Sequence, residues 1–476
     1  RGPSAPPLTP IPKSSFRICY APPLAWPRSM GNGSFARFST WTLPVALCFN
    51  AALLLLSNVL RGASVEVSGE APFGLLKPHT ANSDNLPSAV DRLWLSRAYV
   101  CTAIVALLSC AWPYLKLTLT GICTHRVRSG ADSPEQGLSK LRLVETFGKY
   151  SYADIFLVCL NCAIFNISTG GKYRIMRMFS LEVNLWMQIH LGCILLFAAV
   201  TLSNVLTRLA IVALERHIAV DAPEHIGENG QACDVELNSP KPAERLVRQD
   251  MWWRSPTAGL LYALAGIFAL LVGASLPFVM VDRQGFLGNL IRPPDARHLQ
   301  LSVVSAGRNM AALAGAHGAG GRYMLVAAAM YYIAALAAPL LELLALGAAA
   351  WHSRPDLASA RPRRLALAAA DWSHSFACVE LVLLTALACV LEVQTTIKFN
   401  IGDECKPFAA MMNDRSLLGL AGLSFAASDA CFSAAPSFGP GCAALLGSLA
   451  LRSLAWRTAA GADPAAAACG ALGKHR

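Results

Sequence analysis

Long apolar runs alternate with polar stretches along this chain, and the runs decide its class. Eight of them, Trp41–Leu60, Arg97–Thr120, Tyr150–Ile167, Gln188–Leu214, Thr257–Val281, Arg322–Trp351, Phe376–Val393 and Pro440–Trp456, approach the roughly 17–25 residues that carry a helix across about 30 Å of hydrocarbon. The last is the weakest, being short, glycine-containing and interrupted by Arg452, and Leu417–Ala427 competes with it. The reading is eight spans, with seven as the fallback. Residues 61–96 and 282–321 are long polar stretches, the second rich in Gly and Ala, and residues 215–256 are strongly charged with no helical period. The pattern predicts an all-α integral membrane protein: a first four-span unit over 40–214, a charged linker over 215–256 and a second four-span unit over 257–456. Residues 1–39 form an extension ahead of it, of which 1–29 precede the first methionine, Met30, and an Ala- and Gly-rich tail covers 457–476.

Two spans repeat at one register. Ala111-Trp112-Pro113-Tyr114-Leu115-Lys116-Leu117, followed by Gly121, matches Ala337-Ala338-Pro339-Leu340-Leu341-Glu342-Leu343, followed by Gly347, at an offset of 226 residues. Tyr150-Ser151-Tyr152-Ala153-Asp154-Ile155-Phe156 matches Phe376-Ala377-Cys378-Val379-Glu380-Leu381-Val382 at the same offset. Proline and carboxylate are both rare inside spans, which sharpens the match. Tandem units of four spans follow, in the same orientation, because an even number of crossings returns the chain to its starting side.

Composition agrees with a membrane class. Of the 476 residues, 54% are apolar and only 14% charged, against about a quarter charged in soluble domains. The net charge of +11 reads as loop topology and anionic headgroups, since no basic block is interleaved with aromatics as a nucleic-acid groove requires. Lys and Arg are more numerous in the segments that share a side with the amino terminus, which places both termini in the cytoplasm.

The polar residues at span ends are the candidates for function. Asp154 sits about four residues, or roughly 6 Å, into the third span. A carboxylate there is favoured by the helix dipole, the structural reading, while a charge near bilayer depth is a functional candidate by default. Lys116, at the end of the second span, suits a helix C-terminus and lies where it can meet Asp154. The second unit carries Glu342 and Glu380 instead, and two carboxylates cannot pair. One of them is expected to take a basic partner (Arg361, Arg363, Arg364 or His374) or to hold a proton. Pro113 and Pro339 each remove a backbone bond, to the carbonyls of Ser109 and Ala335, and predict kinks. Cys159 and Cys162 have C-x-x-C spacing inside an apolar helix, where packing explains them. Cys405 and Cys431 share one outer loop and are a candidate disulfide pair. The chain lacks a P-loop, a G-x-S-x-G elbow, an H-E-x-x-H helix and a G-x-G-x-x-G turn, so no catalytic site or cofactor is expected and the protein reads as a non-enzyme.

At Phe147-Gly148-Lys149-Tyr150-Ser151 with Asp154-Ile155-Phe156, at Trp112-Pro113-Tyr114-x-Lys116 and at Ile401-Gly402-Asp403-Glu404-Cys405 the chain resembles the paraquat-inducible protein A family of membrane proteins. The resemblance covers roughly residues 40–456, more specifically in the first unit. It implies two tandem four-span units, a role for Lys149, Ser151 and Asp154, and a component of phospholipid trafficking that passes lipid to a partner of the mammalian-cell-entry (MCE) type. Bacterial members carry paired C-x-x-C zinc ribbons ahead of each unit. Here only Cys19 and Cys233 occupy those regions, and a structural zinc needs about four ligands, so no metal is expected. Glu380 and Phe376 replace the family's Asp and Trp. Besides lipid handling, the residues permit an ion- or proton-coupled solute transporter using Asp154, Glu342 and Glu380, or a tetraspan-like scaffold.

Overall fold

Helix starts are written into the chain as Ser-Pro and Asn-x-x-Ser signals. In the computed structural model, which describes residues 41–70, 79–165, 167–168, 173–175, 179–221, 255–284, 297–316, 318–353, 360–392, 394–395 and 433–461, Ser133 and Ser255 accept from the backbone N–H groups of Gln136 and Ala258, three residues on. Each is followed by proline at the first helical position, where the missing N–H is not needed. Asn85 and Ser88 cap each other's backbone in a reciprocal box.

The first half runs α1 (Leu43–Val59), β1 (Ala63–Glu70), β2 (His79–Asp84), α2 (Leu86–Leu95), α3 (Tyr99–Ile104) continuing through a π-helical segment, Val105–Ala111, into α4 (Trp112–Arg128), then α5 (Pro134–Gly148), a 3₁₀ turn at Lys149–Tyr152, α6 (Ala153–Phe165), β3 (Ile167–Ser168), β4 (Tyr173–Ile175), β5 (Phe179–Ile189) and α7 (Leu191–Asp221). From Pro256 a similar order follows: α8 (Pro256–Ser275), β6 (Val279–Gln284), β7 (His298–Leu301), α9 (Val303–Ala316), α10 (Gly318–Tyr332) through a π segment, Ile333–Ala337, into α11 (Ala338–Trp351), α12 (Ala360–His374), α13 (residues 379–392), β8 (Ser433–Phe438) and α14 (Pro440–Gly461). The two π segments end one residue before Trp112-Pro113 and Ala338-Pro339. The wide turn absorbs the missing proline N–H, so each long helix changes pitch there.

Among the described residues five helical stretches are long and apolar enough to cross a membrane: Tyr99–Arg128, Leu191–Ile218, Pro256–Ser275, Gly321–Trp351 and Arg361–Glu392, the last interrupted by a turn at 375–378. This is an integral membrane architecture. The other three expected spans are helical where the apolar runs lie, but Leu43–Val59 and Ala153–Phe165 are short and Pro440–Gly461 carries Arg452 and Arg457. The rival span Leu417–Ala427 lies outside the described residues.

The all-α expectation needs correcting. Two antiparallel sheets stand at one end of the helices, in order β2-β1-β5-β3 with β4 also on β5, and β7-β6-β8. β1 pairs with β5 from Ala63↔Ile189 to Glu70↔Glu182. Consequently the run read as a span from Gln188 begins as strand, and α7 starts at Leu191. The long polar stretches are not loops alone: the first holds β1, β2 and α2, and the second β6, β7 and α9. Both sheets share an end, because Arg283 of β6 donates to the carbonyl of Ile164 where α6 finishes (2.8 Å), and Ile189 of β5 meets Met324 near the start of α10.

α6 is the hub. Most of its side chains are buried, and Phe156, Leu160 and Ile164 join Met310, Met324, Tyr331 and Leu381 in one apolar core that runs through both halves. α1 and α8 carry the opposite character, exposing Val45, Phe49, Leu55, Leu261, Leu264 and Phe268 as helices facing hydrocarbon do.

Candidate functional site

Two polar features interrupt the apolar interior: a charged network that joins the halves at the end away from the sheets, and a cavity beneath the first sheet.

The network is built from residues that span reading placed at helix ends, together with several that it missed. Lys116, only 1% exposed, does not meet Asp154; its ammonium donates to Asn204 of α7. α5 closes over this pair at Gly148, where a Cβ would stand 2.5 Å from Lys116 Nζ and 2.7 Å from Asn204 Oδ1, so a side chain there would displace one of them. The next residue, Lys149, crosses to the other half and pairs with Glu380 at 2.8 Å. Glu380 also accepts from Arg452 of α14. Arg452 reaches Glu342 at 3.2 Å, and Glu342, with no exposed surface, further accepts from Trp456 Nε1 at 2.6 Å and meets His374 Nδ1 at 2.9 Å. His374 was among the four basic partners expected for these carboxylates; Arg452 was not, having been read only as a blemish in a weak span. Two carboxylates thus lie close together because Lys149 and Arg452 supply counter-charge and the indole and imidazole of Trp456 and His374 supply hydrogen-bond partners.

A second knot lies beside it. Arg208 of α7 bridges Glu145 of α5 and Asp371 of α12, and Ser375 donates to Glu145 at 2.7 Å. Glu145 and Asp371 stand 226 positions apart, as do Lys116 and Glu342. Burial pushes the Glu145 carboxyl above its ordinary value and the neighbouring Asp371 adds to this, against the pull of Arg208. Towards the sheets, Glu392 at the end of α13 accepts from the backbone N–H groups of Val100 and Cys101, both at 2.6 Å, capping α3 across the halves. Arg208, Glu145, Asp371 and Glu392 carry no local sequence signal; their partners lie 60 to 290 residues away and only the fold brings them together.

The cavity lies between α1, β1, α2, α3, α6 and α7, is partly open to the outside and has a volume of about 140 Å³, below the roughly 300–1,000 Å³ of drug-sized ligand sites. Leu93, Val105, Leu157, Val158 and Leu196 form its apolar walls. Ser64, Asn85, Arg92 and Ser96 stand at the sheet end, where Ser64 Oγ shares a 2.7 Å hydrogen bond with His190. Asp154 lines it from the first turn of α6.

Ser151, the remaining motif residue, is buried, and its Oγ has no hydrogen-bond partner among the described residues. Cys405 and Cys431 lie outside the described residues. Among the described residues no group of three or more His, Cys, Asp or Glu side chains is placed to hold a metal ion. The motif around residue 150 therefore has a physical account: Phe147 packs edge-on against Trp112 at 6.0 Å, Gly148 admits Lys116, Lys149 crosses to Glu380 and Asp154 faces the cavity.

The family model described as paraquat-inducible protein A matches residues 44–208, from the second residue of α1 to the Arg208 knot. No curated protein and no solved structure matches the chain.

Proposed function

With residues 44–208 a paraquat-inducible protein A segment, we propose that the protein is a non-enzymatic component of phospholipid trafficking between membranes, built of two tandem four-span units, and that the cavity under the first sheet is where it holds lipid. The observation that carries this reading is the cavity itself: partly open, with apolar walls of leucine and valine and a polar end beneath the sheet, the amphipathic lining that an amphiphile requires. The tandem arrangement is supported by the shared offset of 226 between Pro113 and Pro339, between the ends of the two π segments, and between Glu145 and Asp371. An MCE-type protein or another lipid-transfer partner would receive the cargo.

A proton- or ion-relay reading fits less well. Two of its three carboxylates are held in ion pairs, Glu342 by Arg452 and Glu380 by Arg452 and Lys149, so a charge moving through them must first break such a pair.

Lipid mass spectrometry on the purified protein tests the proposal. Phospholipid is expected to be retained by the wild type and lost from Ala89→Trp, which fills the cavity from α2 without entering the shared core. Equal retention by a folded Ala89→Trp protein would remove the cavity from the reading, and absence of bound phospholipid from the wild type would remove the lipid role.

A further inference from the structure

Asp154 is the acidic residue of a cavity lining that is otherwise apolar apart from Arg92 and a few neutral polar side chains. It is 8% exposed, and what surface it has lies on the cavity. Among the described residues nothing donates a hydrogen bond to it and no cation stands against it. The cations close to it in sequence are engaged: Lys149 with Glu380 and Lys116 with Asn204. An uncompensated carboxylate in such a place is costly to the fold, so a carboxylate facing an open cavity points to a ligand that supplies the missing charge.

The surroundings restrict the class of that ligand. A calcium or magnesium ion takes about six oxygen ligands, whereas among the described residues Asp154 is the only carboxylate lining the cavity, and its neighbours there include Leu157, Val158 and Leu196. A primary ammonium needs far less: one anion, one or two further acceptors and room for the carbon chain behind it. Asn161, two turns along α6 on the same lining, and Ser57 of α1 supply the acceptors. A trimethylammonium lacks N–H donors altogether, and a glycerol headgroup lacks the positive charge.

We propose that the cavity selects phospholipids whose headgroup ends in a primary ammonium, and that Asp154 is the group that receives it. The inference rests on the lipid reading above and specifies its cargo: the ammonium at Asp154, and the acyl chains against the leucine and valine walls.

The test uses the full chain, reconstituted into vesicles of equal parts phosphatidylethanolamine, phosphatidylcholine and phosphatidylglycerol, re-extracted in mild detergent and analysed for bound lipid. Phosphatidylethanolamine is expected to be retained about tenfold over each of the others, the ratio that a single charge-assisted hydrogen bond sustains. Asp154→Asn brings the ratio to about one, and Asp154→Glu preserves a preference. Stepwise N-methylation of the phosphatidylethanolamine reads the same contact on the wild-type chain, where retention should fall with each methyl; this arm holds even if the Asn variant does not fold. Soluble phosphoethanolamine should displace nothing, and displacement by it would assign the site to a free amine and overturn the lipid part of the inference. Equal retention of the three lipids, a flat methylation series or an unchanged preference in folded Asp154→Asn overturns the inference while leaving the lipid reading standing. Absence of any bound phospholipid defeats the lipid reading itself.

Discussion

Replacing Arg452 with methionine is the sharpest probe of the network, because it removes one charge from between a buried and a half-buried carboxylate while keeping the volume. Arg452 Nη1 stands 3.2 Å from Glu342 Oε2, and Nη2 contacts Glu380. At an effective dielectric near 20 the first contact alone is worth about 5 kcal/mol of Coulomb attraction. Part of that is offset by desolvation, and the net cost of leaving one member of a buried pair alone is about 3–5 kcal/mol. Glu380 retains Lys149, so the cost falls chiefly on Glu342, left with His374 and Trp456. At about 2 °C per kcal/mol for a unit of this size, Arg452→Met should lower the unfolding temperature by roughly 6–10 °C. A thiol-reactive dye reads the transition directly, since Cys159, Cys162, Cys378 and Cys389 are free and buried and react only on unfolding. Adding Glu342→Gln should restore at least half of the loss, because the amide needs no counter-charge while His374 and Trp456 still bond it. An Arg452→Met protein as stable as the parent, or a double variant no better than the single, would show that these carboxylates do not depend on their cations.

Two further outcomes follow from the same packing. Burial holds the Glu145 carboxyl above the ordinary glutamate value of 4.5; the folded state therefore keeps this proton to higher pH than the unfolded one, and the stability it contributes is complete below 4.5 and lost as pH rises through the raised value. The unfolding temperature should fall with pH across that window and Glu145→Gln should flatten the slope, so an identical slope in the variant would contradict the assignment. At Gly192, a Cβ would stand 2.5 Å from the carbonyl oxygen of Arg61 and 2.7 Å from that of Leu60. Gly192→Ala should cost about 1–3 kcal/mol by forcing α7 away from the end of α1, whereas Gly447→Ala, with open space around it, should be neutral or stabilising.

The helices were legible because hydrocarbon imposes a length and a composition that a single sequence displays. All eight apolar runs are helical, with ends that differ by a few residues. The sheets were not legible, and the reason is separation: Ala63 pairs with Ile189, so β1 and β5 complete each other across more than a hundred residues, and each alone reads as a polar stretch or the edge of an apolar run. The candidate carboxylates were found because charge is rare in spans, but of their partners only His374 was anticipated. Arg452 lowered the case for a span when read along the chain; in three dimensions it is the cation that Glu342 and Glu380 require. Asp154 at roughly 6 Å of rise read as interfacial, yet α6 is enclosed by both halves, and proximity to a helix start says nothing of proximity to water in such a hub.

The exchange of Lys149 between the halves explains why Asp154 and Glu380, at matching positions, have different fates. Lys149 lies five residues before Asp154, at the start of the same helical segment, and in a self-contained unit it would be the nearest counter-charge. It is given instead to Glu380, which already has Arg452. Glu380 is thereby doubly compensated and serves to fasten the halves together, while Asp154 is left facing the cavity without a cation among the described residues. Returning Lys149 to Asp154 would remove one tie between the halves and close the acidic point of the cavity. Arranged as it is, the lysine adds a tie at the rim to those of Arg208 with Asp371 and Ser375 with Glu145 and leaves the carboxylate available for a ligand, so one crossing bears on both the joining of the halves and the chemistry of the cavity.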